Sequence, residues 1–360
     1  DTILEGFTVT GGNADGPTDA DKRGAGMYNH QSSPTVKNCI FKNNSATHDG
    51  GGMYNRNSSP TVIDCIFDNN AVNRSGGGMY NFQSTPMVTR SSFISNTANS
   101  TGGGMYSREY SHYTITHSTF SGNYASGGGG AMVNTIYTHP KMTNCVFIGN
   151  TTPSQGGAIY NYFHSNPTIT HCTFSRNTAD DGGGGIYNNF NCTPTVVNSI
   201  LWDNTDTFLN VNSTPTVTYS TIQGDSLWPG EGNINADPLF VYMPTGNLRL
   251  RRGSSCIDAG NNDAVPAGIT TDLNGWSRFI GDLCVTDTGC GIGPIVDMGA
   301  YEFMPADIEG YGVVNLSNFS LLAALWLNSE GDLTAADMNC DGMVDMADLV
   351  IFASQWLSGK

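Results

Sequence analysis

A short glycine-rich signature, Gly-Gly-x-[Met/Ile]-Tyr, returns at a nearly fixed interval along this chain, and no other feature restricts its fold as much. Its apolar residue is Met27, Met53, Met79, Met105, Met132, Ile159 and Ile186, spaced by 26, 26, 26, 27, 27 and 27 residues. A second column, Phe41, Phe67, Phe93, Phe120, Phe147, Phe174 and then Leu201, keeps the same step. Three residues after each of these stands an asparagine: Asn44, Asn70, Asn96, Asn123, Asn150, Asn177 and Asn204. In-phase copies of this length describe units that stack on their neighbours, because one unit alone cannot bury its apolar face.

The segments between the glycines are short, β-branched and rich in threonine, which reads as strand. Three strands with their turns fill one repeat, and one coil per repeat makes a parallel β-solenoid. In Val36-Lys37-Asn38-Cys39-Ile40-Phe41 the apolar Val36 and Cys39 are three apart, whereas Cys39 and Phe41 are two apart. A strand keeps a period of 2, so the chain must bend between Val36 and Cys39. The bend column reads Asn38, Asp64, Arg90, His117, Asn144, His171, Asn198. All but the arginine are of the types most tolerant of a left-handed backbone. Leu4, Phe7 and Val9 align as an earlier coil, and Val217 with Ile222 as a shortened last one. The fold class expected for residues 1–222 is therefore all-β, a parallel β-helix of about nine coils. At ~4.8 Å per rung, such a rod is roughly 40 Å long.

Composition agrees. Charged residues are 13% of the 360, against ~25% in ordinary domains. With 45 glycines, the chain excludes a long helical bundle, and their spacing excludes collagen. The net charge of −16 excludes a nucleic-acid partner, and the apolar stretch at Leu321–Leu327 is too short to cross a membrane. Acidity is uneven: residues 1–222 hold 13 acids and 10 bases, 223–304 hold 10 and 4, and 305–360 hold 8 and 1. These shifts divide the chain into a rod (1–222), a closing or capping segment (223–304) and a C-terminal module (305–360).

The rod resembles the right-handed parallel β-helix proteins of bacterial surfaces, including the polymorphic outer-membrane protein repeats. Their hallmarks stand here as Gly156-Gly157-Ala158-Ile159 and Phe147-Ile148-Gly149-Asn150. The resemblance implies architecture more than function, since such folds host lyases, glycosidases, adhesins and inert rods. The strings Ser255-Cys256-Ile257-Asp258-Ala259-Gly260 and Val296-Asp297-Met298-Gly299-Ala300-Tyr301-Glu302-Phe303 look like the segment that closes secreted β-helix proteins of the choice-of-anchor type. Its expected role is to cover the unpaired strand edges at the end of the rod. Asp258, Asp272, Arg278 and Asp297 are read as turn formers and one buried ion pair, and Cys284 with Cys290 as partners in a local disulfide.

The C-terminal module carries the most specific chemistry. Asp337-Met338-Asn339-Cys340-Asp341-Gly342-Met343-Val344-Asp345-Met346-Ala347-Asp348 fits a twelve-residue calcium loop. Asp337, Asn339, Asp341, Asp345 and Asp348 supply side-chain oxygens at positions 1, 3, 5, 9 and 12, Met343 a carbonyl at 7, and Gly342 the sharp turn at 6. Ca²⁺ is the implied cofactor. Thirty residues earlier Asp307, Glu309, Val313, Asn315 and Asn318 repeat positions 1, 3, 7, 9 and 12 for a second Ca²⁺ site, with Gly312 at 6 and Tyr311 in place of an acid at 5. Leu321–Leu327 and Ile351–Leu357 align as amphipathic helices after the two loops. Two loop-helix repeats without a leading helix resemble a type I dockerin. That resemblance implies a cohesin-like partner, although Leu316-Ser317 and Met346-Ala347 replace the paired hydroxyls of cellulosomal examples.

No catalytic residue is assigned. Asp180-Asp181 and Asn204-Thr205-Asp206 are similar to the acids of polygalacturonases but in reversed order, and the bases of the rod are scattered. The tyrosine column (Tyr28, Tyr54, Tyr80, Tyr106, Tyr160, Tyr187) is read as a structural ladder rather than a sugar-stacking stripe. Because Asp1 opens directly on a strand, head-to-tail self-assembly is expected. The reading that follows is a secreted or cell-surface bacterial protein, structural or adhesive, with a calcium-stabilised module. The alternative is a polysaccharide-binding or -cleaving protein tethered through its dockerin.

Overall fold

A computed structural model of the chain describes residues 2–329 and 335–358. Four parallel sheets run along the rod, of nine, nine, seven and eight strands, each hydrogen-bonded to the equivalent strand of the next coil. The third coil shows the pattern: Thr61–Ile63, Ile66–Asp68, Ala71–Val72 and Met79–Phe82. The coil thus has four strands instead of three. The additional one is only two residues long and carries no legible alternation. The residue before each ladder asparagine takes a positive φ (Asn43 55°, Asn69 53°, Ser95 52°), which turns the chain into that short strand. Seven coils hold all four strands rather than the expected nine. An eighth lacks the short strand and a ninth retains only Thr216–Thr218 and Thr221–Ile222.

Every residue of the bend column is left-handed, with φ between 47° for Arg90 and 53° for Asn144. The arginine is tolerated because its guanidinium takes both carboxylate oxygens of Asp64, one coil away, at 2.7 and 2.8 Å. The rod core is built from the expected columns of valine or isoleucine, cysteine, phenylalanine and methionine, all fully buried in the central coils. Successive phenylalanines from Phe41 to Phe174 stack with centroids 4.6–5.0 Å apart, each pair worth about 0.5–1.5 kcal/mol beyond burial. Serines and cysteines are interchangeable in their column. Ser91 donates to Thr89 O at 3.0 Å and accepts from the Cys65 amide, while the Cys65 thiol reaches Ile63 O at 3.2 Å. These thiols remain unbridged.

The asparagines make a ladder that closes its own hydrogen-bond account. Asn70 Nδ2 donates to Asn96 Oδ1 (2.9 Å) and to Phe41 O (2.9 Å), and Asn96 Oδ1 also accepts the Asn70 amide. At Gly52 the neighbouring turn leaves no room for a side chain, although later coils accommodate Ala131 and Ala158 at the same step. A Cβ on Gly52 would lie 2.5 Å from Gly78 O and 2.8 Å from the Phe67 ring.

Beyond Ile222 the chain first covers the end of the rod. Ile222 and Ser220 pair with Ile234, Asn233 satisfies the Ser220 amide, and Trp228 lies 4.7 Å from Phe208 at the end of the core. Residues 235–304 then run along the flank of the rod instead of across its end, contrary to the capping expectation. The reason is apolar: Val146, Ile148, Ile200 and Trp202 point outward from the second sheet and are covered by Leu248, Leu250, Ile257 and Met298. Two helices complete the C-terminal module, α1 (Leu316–Ala324) and α2 (Met346–Ser358). The first is shorter than the sequence alignment suggests. Leu327 takes φ 59° and its amide pairs with Val344 O at 2.7 Å, joining the two halves. No helix among the described residues is long and apolar enough to span a membrane.

Candidate functional site

Three groups of residues carry chemistry. The first is the polar seam between flank and rod, where the bend column is put to use. Asn144 and His117 both meet Thr271 O (2.7 and 3.2 Å), and Asn198 exchanges two hydrogen bonds with Asn261. Arg278, fully buried, binds Glu302 at 2.9 Å, Asn144 Oδ1 at 2.8 Å and Gly299 O at 2.9 Å. The expected buried ion pair is present, but its acid is Glu302, a residue the sequence reading did not single out. Asp272 accepts the amides of Asn274, Trp276 and Glu302, and Asp297 those of Asp258 and Phe303. Burial holds Asp272, Asp297 and Glu302 above the usual carboxylate range, with Arg278 acting against it. Burial likewise pushes Asp258 up to about 6, opposed by the Asp282 amide and assisted by the Asp287 charge. These acids are turn formers committed to backbone amides.

The second group is the pair of loops in the module. In the second loop Asp337 accepts the amides of Asp341 (3.2 Å) and Gly342 (3.0 Å), while Asp348 accepts those of Met338, Asn339 and Asp345. Asn339 Nδ2 donates to Asp341 at 2.9 Å, and Asp345 accepts from Ala347 at the start of α2. The first loop repeats this winding. Asp307 accepts from Tyr311 and Gly312, and Asn318 Oδ1 from Asn315 at 3.0 Å. The equivalence breaks at position 12. Asp348 has a second oxygen for the amides of positions 2 and 3, whereas Asn318 there presents an NH₂ that is buried without a hydrogen-bond partner. Asn315 and Asn318 form the capping box of α1, as Asp345 and Asp348 do at the start of α2. Glu309 and Val313 line the same loop, Val313 largely exposed.

A hard dication needs several oxygens from a short chain. Asp337, Asn339, Asp341, Asp345 and Asp348 offer such a set, with no cationic side chain within the twelve residues and with Asp348 fully buried. Among the described residues, no three His, Cys, Asp or Glu side chains converge as they stand. The donor set fits Ca²⁺ in its chemistry and spacing; the first loop, with an amide at 12 and tyrosine at 5, fits it less well.

Both loops are pinned to the flank segment. Asn247 and Trp276 donate to Gly310 O and Gly312 O of the first loop, and Arg252 donates to Asp337 O of the second at 2.7 Å. Cys284 is bonded to Cys340, position 4 of the second loop, across 56 residues. The expected Cys284–Cys290 bridge is therefore not formed. Tertiary folding carries Cys284 to the module, and Cys290 is left as a thiol beside Tyr219. Sequence spacing favours the local pair, and nothing in the sequence marks the distant one.

The third group lies on the solvent face. The tyrosine ladder is stacked at 5.1–5.2 Å from Tyr28 to Tyr106 and mostly buried by its own members, as a structural ladder should be. Asp206 accepts the Gly183 amide and Asp181 the Gln155 amide group, both serving turns. Three exposed aromatic side chains, Tyr110, Phe163 and Phe190, share the turn after the fourth strand.

Stacked parallel coils of four short strands, internal asparagine and phenylalanine ladders and a laterally sealed flank define a parallel β-helix repeat protein. Residues 88–226 match the family model described as the right handed beta helix region. The rod is a parallel β-helix, and over those residues it is similar to right-handed β-helix proteins, a fold that carries both enzymes and non-enzymatic proteins. No curated protein matches it, and no solved structure does.

Proposed function

We propose that this protein is a non-catalytic extracellular rod, structural or adhesive, of a bacterial surface or secreted assembly, with a calcium-stabilised dockerin-like module at its C-terminal end. The carrying observation is the fate of the ionisable cluster. Asp258, Asp272, Arg278, Asp297 and Glu302 are 0–4% exposed, the three aspartates holding amides of the flank's own turns and Arg278 joining Glu302 to Asn144 of the rod, so they have no face to offer a substrate. Asp337, Asn339, Asp341, Asp345, Asp348 and the Met343 carbonyl would hold Ca²⁺, which supplies positive charge to a loop of four carboxylates. The first loop takes a second Ca²⁺ only weakly, through Asp307 and Glu309. Leu316 and Met346, equivalent positions at the helix starts and both well exposed, support docking of a cohesin-like partner on the side of the module away from the flank.

The test is calcium titration by calorimetry on chelator-treated protein, run beside a reducing-end assay on pectic, xylan and cellulose substrates. One tight calcium site and no released sugar is the expected outcome. Calcium-dependent sugar release would overturn the non-catalytic reading, and silent calorimetry would overturn the metal site.

A further inference from the structure

The step from 26 to 27 residues per coil has a structural cause. The added residue enters the turn between the fourth strand and the next coil's first strand, and it comes as a second consecutive left-handed residue. The shorter coils use one such residue, Gln31, Asn57 or Gln83; the longer ones use Glu109-Tyr110, Ile136-Tyr137, Phe163-His164 and Phe190-Asn191. Glycine would serve this conformation without strain, yet bulky side chains occupy it. Tyr110, Tyr137 and His164 stack at 5.4 and 5.1 Å, and Phe163 and Phe190 stand exposed beside them. The longer coils thus carry an aromatic surface that runs along the rod.

The same coils interrupt the tyrosine ladder. Val133 stands where a tyrosine is expected, paired with Tyr106 on one side and Tyr160 on the other. Its small side chain leaves an open cavity of about 320 Å³, lined by Tyr106, Tyr160, Tyr162, Arg108, Thr101 and Thr135. Tyr106 and Tyr160 are two rungs apart, about 9.6 Å, room for one ring laid on the Tyr106 face with Tyr160, turned out of the ladder plane, as the opposite wall. Tyr160, with no ring above it, is turned 66° from Tyr187. Arg108 lies at the rim, its guanidinium 5.5 Å from the Phe82 ring and paired through one nitrogen with Glu109, while its buried Nε has no hydrogen-bond partner. Aromatic faces for C–H groups, with hydroxyl and guanidinium donors at the rim, are the complement of a sugar.

We propose that this gap is a glycan-binding subsite that holds one pyranose ring between Tyr106 and Tyr160, and that the neighbouring Tyr162, Phe163 and Phe190 carry further rings of a chain lying along the rod. The inference rests on the adhesive, non-catalytic reading above, since the sugar is held and not cut. The decisive variant is Val133→Tyr, which completes the ladder and fills the gap while matching the repeat; Phe163→Ser, on the exposed turn, is the second. The probes are xylohexaose, cellohexaose and hexagalacturonate, titrated into the full chain by calorimetry, with sedimentation and thermal melting alongside. At least one hexasaccharide binds the parent protein; Val133→Tyr weakens it about tenfold or more without lowering the melting temperature, and Phe163→Ser weakens it less. No binding of any of the three at millimolar concentration, or binding unchanged in Val133→Tyr, overturns the subsite and leaves the non-catalytic reading intact. Self-association abolished by Val133→Tyr, with no sugar bound, overturns it in favour of a second copy of the chain. Released reducing ends overturn the non-catalytic reading and leave binding standing.

Discussion

Tyr113 shows how one residue repairs a repeat. The inner asparagine column Asn29, Asn55, Asn81, Asn134, Asn161, Asn188 is broken at Ser107, and the buried Tyr113 brings its hydroxyl to Asn134 Oδ1 in the missing place. Tyr113→Phe should leave that oxygen without its donor and cost about 1–2 kcal/mol in urea denaturation. Asp258 makes a pH prediction. Its folded-state carboxyl, at about 6, holds a proton more tightly than an ordinary one at 3.8. The folded state therefore gains most from this group below the unfolded value, and the gain falls as pH rises from 3.8 towards 6. Asp258→Asn should raise the melting temperature at neutral pH and flatten its dependence across that window; an unchanged profile would show that the flank does not report this carboxyl. The acid's type was visible in sequence as a turn former, but its burial was not. Nothing local announces that a flank will fold down over it.

Among the elements, the asparagine ladder is the most demanding, because each amide serves the coils on both sides. Asn123→Ala would strand the Asn96 amide and side-chain NH₂ and the Phe93 carbonyl. A loss of about 3–5 kcal/mol is expected by chemical denaturation, with a smaller one for the half-exposed Asn204→Ala, where water substitutes. Equal losses at the two positions would mean that the ladder is not the source of stability. The strands and the bend were legible because side-chain type repeats at each rung and the left-handed bend selects its residues. The short third strand of each coil was not, since two residues are too few for a period to appear. The α1 helix was overestimated because Leu325–Leu327 continue its apolar pattern while tertiary pairing of Leu327 with Val344 pulls them out of it.

The whole molecule joins its parts by three different means: apolar burial of the flank, hydrogen bonds from the bend column, and the Cys284–Cys340 bridge to the module. A bridge closing a loop of this size contributes about 2–4 kcal/mol, chiefly through the unfolded state. Chelation of the oxidised protein should therefore loosen the second loop without releasing the module. In a Cys284→Ala/Cys340→Ala variant, chelation should abolish the helical circular dichroism of α1 and α2 and leave the β-helix signal in place. Helical signal that persists in the variant under chelation would refute a calcium contribution to the module's stability. The module is thus fastened to the flank rather than carried as a free plug.

The sequence by itself determined the coil. Stacking places like on like, so every inward column, the bend and the ladder had to appear as a periodic choice of residue types. Loop spacing likewise marked the oxygen-rich turn at Asp337–Asp348, because its residues are close in the chain. Only the tertiary structure decided where the flank lies, that Arg278 finds Glu302, that Cys284 reaches Cys340, and that one valine opens a gap between two tyrosines. Each of these depends on contacts between residues whose separation in the chain follows no period, and a contact of that kind leaves no mark until the chain has folded.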